Sequence, residues 1–350
     1  MKFLNKNVFS ITKLILFVLF ALLFYFQVKN IDFSQLFQIS VKHFFYFIIA
    51  FCLLPVNLFF EFKKWDLVLK IIEPFSALKI RFYSFFSGVV SAFLTPNLIG
   101  NFIGRMFYFE RKSRIPIVFL TSVSNLSQLF ISIFLGSLSV LLLPSLPFLA
   151  NINIFWLTIL SLILCFIFLF VYFNFEKFPF ILINKKKWFL KCRILLKNNI
   201  SLRYKFLLYS FFRFLVFSVQ YSFFIQSFGI DLSLKILLIV WSVYFWSSFI
   251  PSLWFGKLII RESLALWLFS YYGYTSEVIL SAALCIWICN QLVPTLFFIP
   301  FLKIKKNNVL NFYLSYYFFK HILVLSVFFY KKNYIQKQDK TKGNHCFDSI

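Results

Sequence analysis

Long apolar stretches separated by short basic or polar segments run through the whole chain. A helix needs about 20 apolar residues to cross the hydrocarbon core of a bilayer. Six stretches meet that requirement as uninterrupted helices: Thr12–Val28, Phe44–Phe60, Ile117–Leu143, Ile154–Phe173, Phe206–Phe228 and Ser276–Phe301. With two further, interrupted stretches, the pattern predicts an all-α polytopic membrane protein of about eight transmembrane helical elements.

The two interrupted stretches, Phe82–Phe109 and Lys235–Tyr272, both contain proline and glycine. These residues break helical hydrogen bonding, and in lipid the freed backbone groups need partners. The breaks have similar sequences, SAFLTPNLIGNFIGR from Ser91 and SSFIPSLWFGKLIIRE from Ser247, each with an arginine five residues after a glycine. Similar broken elements in two halves of a chain are typical of an inverted-repeat transporter.

Composition supports a membrane protein and excludes a soluble globular enzyme. Hydrophobic residues make up 61% of the chain and mean hydropathy is +0.85, whereas soluble domains are about 45–50% apolar. Lys and Arg number 36 against 11 Asp and Glu, a net charge of +25. Because the basic residues are dispersed among loops, they indicate positive-inside topology rather than nucleic-acid binding.

The basic segments predict which loops face the cytoplasm. They are the N-terminus with Lys2, Lys6 and Lys13, and the loops Glu61–Arg81, Arg105–Arg114, Asn174–Lys205 and Lys303–Lys306. These assignments agree only if the first broken stretch enters and leaves on the cytoplasmic side and the second on the outer side. Each stretch is then a re-entrant helix pair or, alternatively, two short full spans.

We therefore expect a multi-pass protein of the inner membrane with a cytoplasmic N-terminus. Residues 1–306 form the membrane domain, with halves of about 1–173 and 206–306 joined by the basic loop 174–205. Residues 307–350 are expected to form an interfacial helix and a basic tail, although 311–330 are apolar enough for a ninth span.

Few polar side chains lie in the apolar stretches, and each is informative because a charge at the membrane centre costs about 2.5–3.5 kcal/mol on insertion scales. Arginines beside broken backbone suit a phosphate group. The alternatives are interhelical hydrogen bonds for the amides, and interfacial anchors or ion pairs for the arginines. The candidate headgroup-binding residues are Asn57, Glu61, Pro96, Asn97, Gly100, Arg105, Asn125, Gln128, Arg213, Arg261 and Glu262.

Motifs for catalysis or metal binding are lacking in the sequence. The chain has no CxxC pair, its three histidines are far apart, and GxGxxG, Walker A and HExxH motifs are absent. Asp66 and Asp231 are isolated, and Cys285 and Cys289 fit as packing residues on one helix face. We therefore expect no catalytic constellation, no metal site and no cofactor.

Several segments resemble, in order, the transmembrane region of the lysylphosphatidylglycerol synthase and flippase-like family. The resemblance extends over roughly residues 8–306. The matching residues are Asn57, Glu61 and Trp65 at four-residue spacing, Gly88 to Arg105 around Thr95-Pro96-Asn97, Ser124 to Gln128, and Pro251 to Glu262.

The resemblance implies lipid handling. Larger members of that family flip aminoacylated phosphatidylglycerol and carry a separate soluble domain that makes it, and we expect this chain to lack that domain. We expect a flippase that moves a phospholipid or lipid-linked headgroup, held by Arg105 and Arg261 and oriented by Glu262, Glu61 and Asn57. The alternatives are a scaffold of a cell-envelope assembly complex and a membrane transferase with a lipid substrate.

The expected partners follow from these functions. Membrane lipids come first, either an anionic phospholipid or a lipid-linked substrate, with an envelope-assembly protein or a second copy of the chain as further possibilities. Nucleic acid is not expected.

Overall fold

A computed structural model describes residues 40–93, 99–143, 154–174, 187–250 and 256–298, together with three helical positions at Leu22, Tyr25 and Lys29. Within these ranges every regular element is helical. In chain order the helices are α1 Phe44–Ile72, α2 Leu78–Phe93, α3 Ile99–Met106, α4 Arg111–Leu142, α5 Ile154–Asn174, α6 Lys187–Asn198, α7 Ile200–Ser227, α8 Leu234–Phe249, α9 Gly256–Tyr271, α10 Ser276–Trp287 and α11 Val293–Phe298.

Four elements are long and apolar enough to cross a bilayer: α1, α4, α7 and the continuous segment Ser276–Phe298. In that segment a π-helical turn, Ile288–Leu292, joins α10 to α11. The shorter apolar helices include α8, and Cys165–Asn174 within α5. The chain is therefore a polytopic α-helical membrane protein, as its hydrophobic pattern predicts.

Several helices extend beyond their apolar stretches. Helix α1 continues to Ile72, α4 begins at Arg111 and α7 begins at Ile200. The expected basic loop Glu61–Arg81 is therefore wrong as a loop, because it consists mainly of the end of α1 and the start of α2. Charged residues are good helix formers, and pairs such as Lys70–Asp66, 2.9 Å apart, support the helix past the apolar part.

The expected loop 174–205 contains helix α6 and the start of α7.

Two further sequence predictions fall wholly or largely outside the described residues. The expected first span, Thr12–Val28, has only Leu22 and Tyr25 among the described residues. The predicted interfacial helix and tail of 307–350 lie outside the described residues.

Helices α1 and α7 pack side by side as an antiparallel pair. At one end the Lys42 amide donates to the Ser227 carbonyl at 2.9 Å, and further along Gln220 Nε2 donates to the Ala50 carbonyl at 2.8 Å. Around the second half of α7, buried apolar side chains of α8, α9 and α10 form the main core, which includes Tyr221, Phe224 and Phe269. The pair brings residues of the two halves of the chain side by side.

The first broken stretch is a helical hairpin. Helix α2 packs on α3 so closely that a Cβ on Gly104 would meet the Ser87 carbonyl and Ser91 Oγ. Small residues allow such close helix contact in membranes. The 8 residues of α3 extend only about 12 Å, too short for a bilayer core of about 30 Å. A re-entrant hairpin therefore fits α2–α3 better than two full spans.

The second broken stretch is also a hairpin. Lys235, near the start of α8, lies over the ring of Tyr272, just after α9, with its Nζ 4.7 Å from the ring centroid. The start of α8 and the end of α9 are therefore neighbours, and the chain reverses direction between them.

The two hairpins open toward opposite ends of the α1–α7 pair. Arg81 near the start of α2 bonds Asp66 near the end of α1, whereas α8 follows directly after the end of α7, where α1 begins. The sequence prediction of two helix-pair elements in opposite orientation agrees with this arrangement.

Candidate functional site

Three cations surround one carboxylate where α1, α3 and α7 meet. Glu61 Oε2 lies 3.0 Å from Lys64 Nζ and 3.0 Å from Arg213 Nη1, and Glu61 Oε1 lies 3.3 Å from Arg105 Nη2. The side chains of Lys64 and Arg105 are only 1% and 3% exposed, whereas that of Arg213 is 28% exposed. We call Glu61, Lys64, Arg105 and Arg213 the Glu61 cluster.

Arg105 reaches Glu61 because glycine stands opposite it in the hairpin. A Cβ on Gly88 would lie 2.5 Å from Arg105 Cγ and 2.8 Å from Arg105 Nε. The guanidinium lies over two aromatic rings, 5.1 Å from the Trp65 centroid and 5.0 Å from the Phe85 centroid. Its buried Nε has no hydrogen-bond partner among the described residues. The hairpin thus holds a cation in place with one donor still available.

Hydrogen bonds from its indole N–H fix the position of the Trp65 ring. Its indole Nε1 donates to the Arg81 carbonyl and to Ser84 Oγ, both at 3.1 Å. The spacing of Asn57, Glu61 and Trp65 places all three on one helix face, as the sequence predicts. Lys64, three residues after Glu61, was missed because the sequence places it in a cytoplasmic loop.

A chain of amides extends the Glu61 cluster toward α10. Arg213 Nε donates to Asn57 Oδ1 at 3.0 Å, and Asn57 Nδ2 donates to Asn290 Oδ1 at 2.6 Å. Asn290 Nδ2 then donates to Gln220 Oε1 at 2.8 Å. Asn290 lies in the π turn, a feature that often marks functional sites. Asn290 thus forms interhelical hydrogen bonds, the alternative role that the sequence analysis gives for amides in the apolar stretches.

On its other side the Glu61 cluster contacts α4 through serine. Lys64 Nζ lies 3.4 Å from Ser210 Oγ, which lies 2.8 Å from Ser127 Oγ. Gln128 Nε2 donates to the Ser210 carbonyl at 3.4 Å, while its buried Oε1 has no partner among the described residues. Asn125, one turn before Gln128, is half-buried.

Arg261 and Glu262 form a second, separate cluster. Arg261 Nε donates to Glu262 Oε1 at 3.2 Å, and Nη2 contacts the same oxygen. Tyr221 and Tyr244 lie within electrostatic range of this pair. Two fully buried atoms here, Glu262 Oε2 and the Tyr221 hydroxyl, have no hydrogen-bond partner among the described residues. The pair is neutral overall.

Of the remaining candidate residues, some lie in the described helices and others lie outside the described residues. Gly100 is buried in α3. Pro96 and Asn97 lie outside the described residues, as does Pro251. Arg105 and Arg261 belong to different clusters. The expectation that both arginines bind the same headgroup therefore stays a prediction.

Two other basic residues that the sequence places in cytoplasmic loops bond groups on neighbouring helices. Arg81 Nη1 bonds Asp66 Oδ1 at 2.7 Å, and buried Arg203 donates to the Phe173 carbonyl at the end of α5. Their positive charge fixes helix ends to each other as well as marking one side of the protein.

The Glu61 cluster has the chemistry of an anion site. Three buried or half-buried cations face one carboxylate, and two of them are arginines, whose guanidinium matches the oxygens of a phosphate. Arg213 is the most exposed of the three cations, so an anion would reach the cluster from the side where Arg213 lies.

Comparison with known proteins agrees with the membrane fold. A family model described as the lysylphosphatidylglycerol synthase TM region matches residues 11–297. Neither the curated proteins nor the solved structures contain a match to this chain.

Proposed function

The chain belongs to the lysylphosphatidylglycerol synthase TM region family, and from that premise we propose that it moves the polar headgroup of a membrane lipid between the two leaflets. The observation that carries the proposal is the Glu61 cluster, a cation-rich site within a polytopic membrane protein. A buried charge is expensive in a membrane and marks a pathway for polar groups.

In this proposal the phosphate of the lipid binds Arg105, Arg213 and Lys64. Glu61 holds the three cations in place while no lipid is bound and limits how strongly the phosphate is retained. Transport requires lipid binding that is favourable and still reversible. A carboxylate that competes with the phosphate for the three cations therefore suits a carrier better than the three cations alone would.

Neutral side chains orient the headgroup. Asn57 and Asn290 connect Arg213 to the π turn of the last spanning element, so a change at the phosphate can reach α10. The Arg261–Glu262 pair, in the oppositely oriented hairpin, provides a second polar site that the headgroup contacts. We assign the end rich in basic residues to the cytoplasm of a bacterial inner membrane, by the positive-inside rule.

A liposome assay tests the proposal. Purified protein is reconstituted with a trace of phospholipid that carries a fluorophore on one acyl chain, so that the phosphate stays unmodified, and a membrane-impermeant quencher reports the fraction in the outer leaflet. We expect the wild type to make the inner pool accessible faster than protein-free liposomes. Arg105→Gln should abolish the gain, whereas Lys112→Gln should not, because Lys112 is 78% exposed and pairs with Glu110 outside the cluster.

If Arg105→Gln transports as fast as the wild type, the assignment of Arg105 is wrong. If wild-type liposomes are no faster than protein-free ones with either a phosphomonoester or a phosphodiester lipid, the transport function itself is wrong. Arg105→Lys keeps the charge, so a correctly folded variant with partial activity separates loss of the phosphate site from loss of the fold.

A further inference from the structure

The charges in the Glu61 cluster do not balance. Lys64, Arg105 and Arg213 carry three positive charges, and Glu61 carries one negative charge. The nearest other carboxylates on α1 and after it are engaged elsewhere: Asp66 pairs with Arg81 and Lys70, and Glu73 accepts from Ser113. The other side-chain hydrogen bonds of the cluster among the described residues are to neutral groups. Arg213 donates to Asn57 of α1, which bonds Asn290 of the π turn, and Lys64 donates to Ser210 of α7, which bonds Ser127 of α4. The excess is two positive charges among the described residues.

An excess of two charges is costly in this setting. The Lys64 and Arg105 side chains are almost completely buried, and an unpaired buried charge costs several kcal/mol in real proteins. Trp65 and Phe85 compensate Arg105 only in part, since a cation–π contact is weaker than a close ion pair with a second carboxylate. The unpartnered Arg105 Nε is a further donor that awaits an acceptor. A ligand that supplies two negative charges would neutralise the site.

We infer that the site is built for a dianionic phosphate, and therefore that the lipid it takes is a phosphomonoester rather than a phosphodiester. A phosphodiester such as phosphatidylglycerol carries one negative charge and leaves one cation unpaired. A phosphomonoester carries about −1.5 to −2 at pH 7, because its second pKa is near 6, and offers three acceptor oxygens. Three cations around Glu61 match three oxygens. This inference rests on the proposed function, of which it names the substrate class.

The same chemistry could come from a lipid headgroup or from free phosphate. A lipid is favoured because Glu61 and Lys64 of α1 and Arg213 of α7 lie on helices long and apolar enough to cross the membrane, and because Arg213 is the most accessible cation of the cluster. Free phosphate is therefore included as a separate arm of the test.

The experiment measures binding to the purified full-length protein in a neutral detergent. The probes are dioctanoyl phosphatidic acid as the monoester, dioctanoyl phosphatidylglycerol as the diester, and inorganic phosphate. At pH 7.5 we expect the monoester to bind about tenfold tighter than the diester or more, since one additional close ion pair at an effective dielectric near 20 exceeds the energy of a tenfold change. At pH 5 the monoester loses its second charge, so the preference should shrink while diester binding stays constant.

Two matched variants test whether charge is the cause. Arg213→Gln removes one positive charge and should reduce the monoester preference to near equality. Arg213→Lys keeps the charge and should retain the preference, and Lys112→Gln should behave as the wild type. A monoester preference that survives in a folded Arg213→Gln protein overturns the charge-matching inference.

The outcomes separate the inference from the proposed function. If the wild type binds monoester and diester equally, the substrate class is wrong but a lipid phosphate site remains. If inorganic phosphate binds as tightly as phosphatidic acid, the assignment to a lipid is wrong. If the wild type binds none of the three probes, the Glu61 cluster is not a phosphate site and the proposed function loses its basis.

Discussion

Arg213 Nη1 lies 3.0 Å from Glu61 Oε2, so the second half of the chain supplies one of the three cations around a carboxylate of the first half. The contact depends on the antiparallel packing of α1 and α7, which also joins Asn57 to Arg213. The site thus forms only when the two halves are assembled.

Removing the carboxylate should unfold the protein more easily. Glu61→Gln leaves three cations facing one another in a buried site, and breaking a buried pair typically costs about 3–5 kcal/mol. We expect a lower midpoint in thermal unfolding of the detergent-solubilised protein. Glu110→Gln, which removes an exposed carboxylate, is the control and should leave the midpoint unchanged.

A double substitution then tests the cause. Adding Arg213→Gln to Glu61→Gln removes one of the repelling cations and should restore part of the stability. A double variant that loses the sum of the two single effects would show that the charges are not coupled.

Gly88 should be intolerant of any side chain. A Cβ there would meet Arg105 Cγ at 2.5 Å and Asn101 Oδ1 at 2.8 Å, so Gly88→Ala should cost about 1–3 kcal/mol through overpacking and should displace Arg105 from Glu61. Headgroup movement in liposomes and unfolding in detergent both report the change. In an Arg105→Ala background the same substitution should cost clearly less, and equal costs in both backgrounds would refute the contact.

The ring of Trp65 and its N–H have separate roles. Trp65→Phe removes the hydrogen bonds to Arg81 and Ser84 but keeps an aromatic face below Arg105. Trp65→Leu removes both. We expect phosphate-lipid affinity to stay within a few-fold in Trp65→Phe and to fall further in Trp65→Leu, because only the latter loses the cation–π contact of about 2 kcal/mol. Equal affinities in the two variants would exclude a role for the ring.

The amide chain should contribute modestly. A double-mutant cycle with Asn57→Ala and Asn290→Ala should give a coupling energy near 0.6 kcal/mol, the mean for interhelical hydrogen bonds in membrane proteins. Equilibrium unfolding of the four proteins in mixed micelles supplies the value. A coupling of zero would mean that the two side chains do not bond in the membrane.

Because the two hairpins open toward opposite ends of the α1–α7 pair, cysteines placed beside their open ends should be labelled from opposite sides of the membrane. In a variant lacking the six native cysteines, Phe75→Cys lies beside the open end of the first hairpin and Leu232→Cys beside that of the second, and both positions are exposed. A membrane-impermeant maleimide should label them from opposite sides of sealed vesicles. Labelling of both from the same side would contradict the arrangement of the hairpins.

The sequence predicts those parts of the site that depend on local spacing. Asn57, Glu61 and Trp65 share a helix face because they are four residues apart, and the Pro and Gly breaks identify two interrupted elements. Lys64 escapes such reasoning, since a lysine beside a long basic segment resembles a topology signal. Only the continuation of α1 to Ile72 places it inside the protein.

Long-range partners are beyond sequence patterns. Asn290 reaches Asn57 through a π turn, which has no sequence signature that distinguishes it from ordinary helix. Likewise, the two glycine–arginine breaks look equivalent, yet Arg105 pairs with Glu61 across helices and Arg261 pairs with its neighbour Glu262. The second break has a carboxylate, Glu262, directly after its arginine, whereas Met106 follows Arg105, whose partner comes from α1.

Native mass spectrometry of the purified protein, released from detergent with its co-purifying lipid, tests most directly whether the Glu61 cluster holds a lipid phosphate. We predict that the wild type and Lys112→Gln retain a phosphate-bearing lipid, and that Arg105→Gln and Arg213→Gln lose it while remaining folded. Equal lipid occupancy in all four proteins would contradict a phosphate site at Glu61.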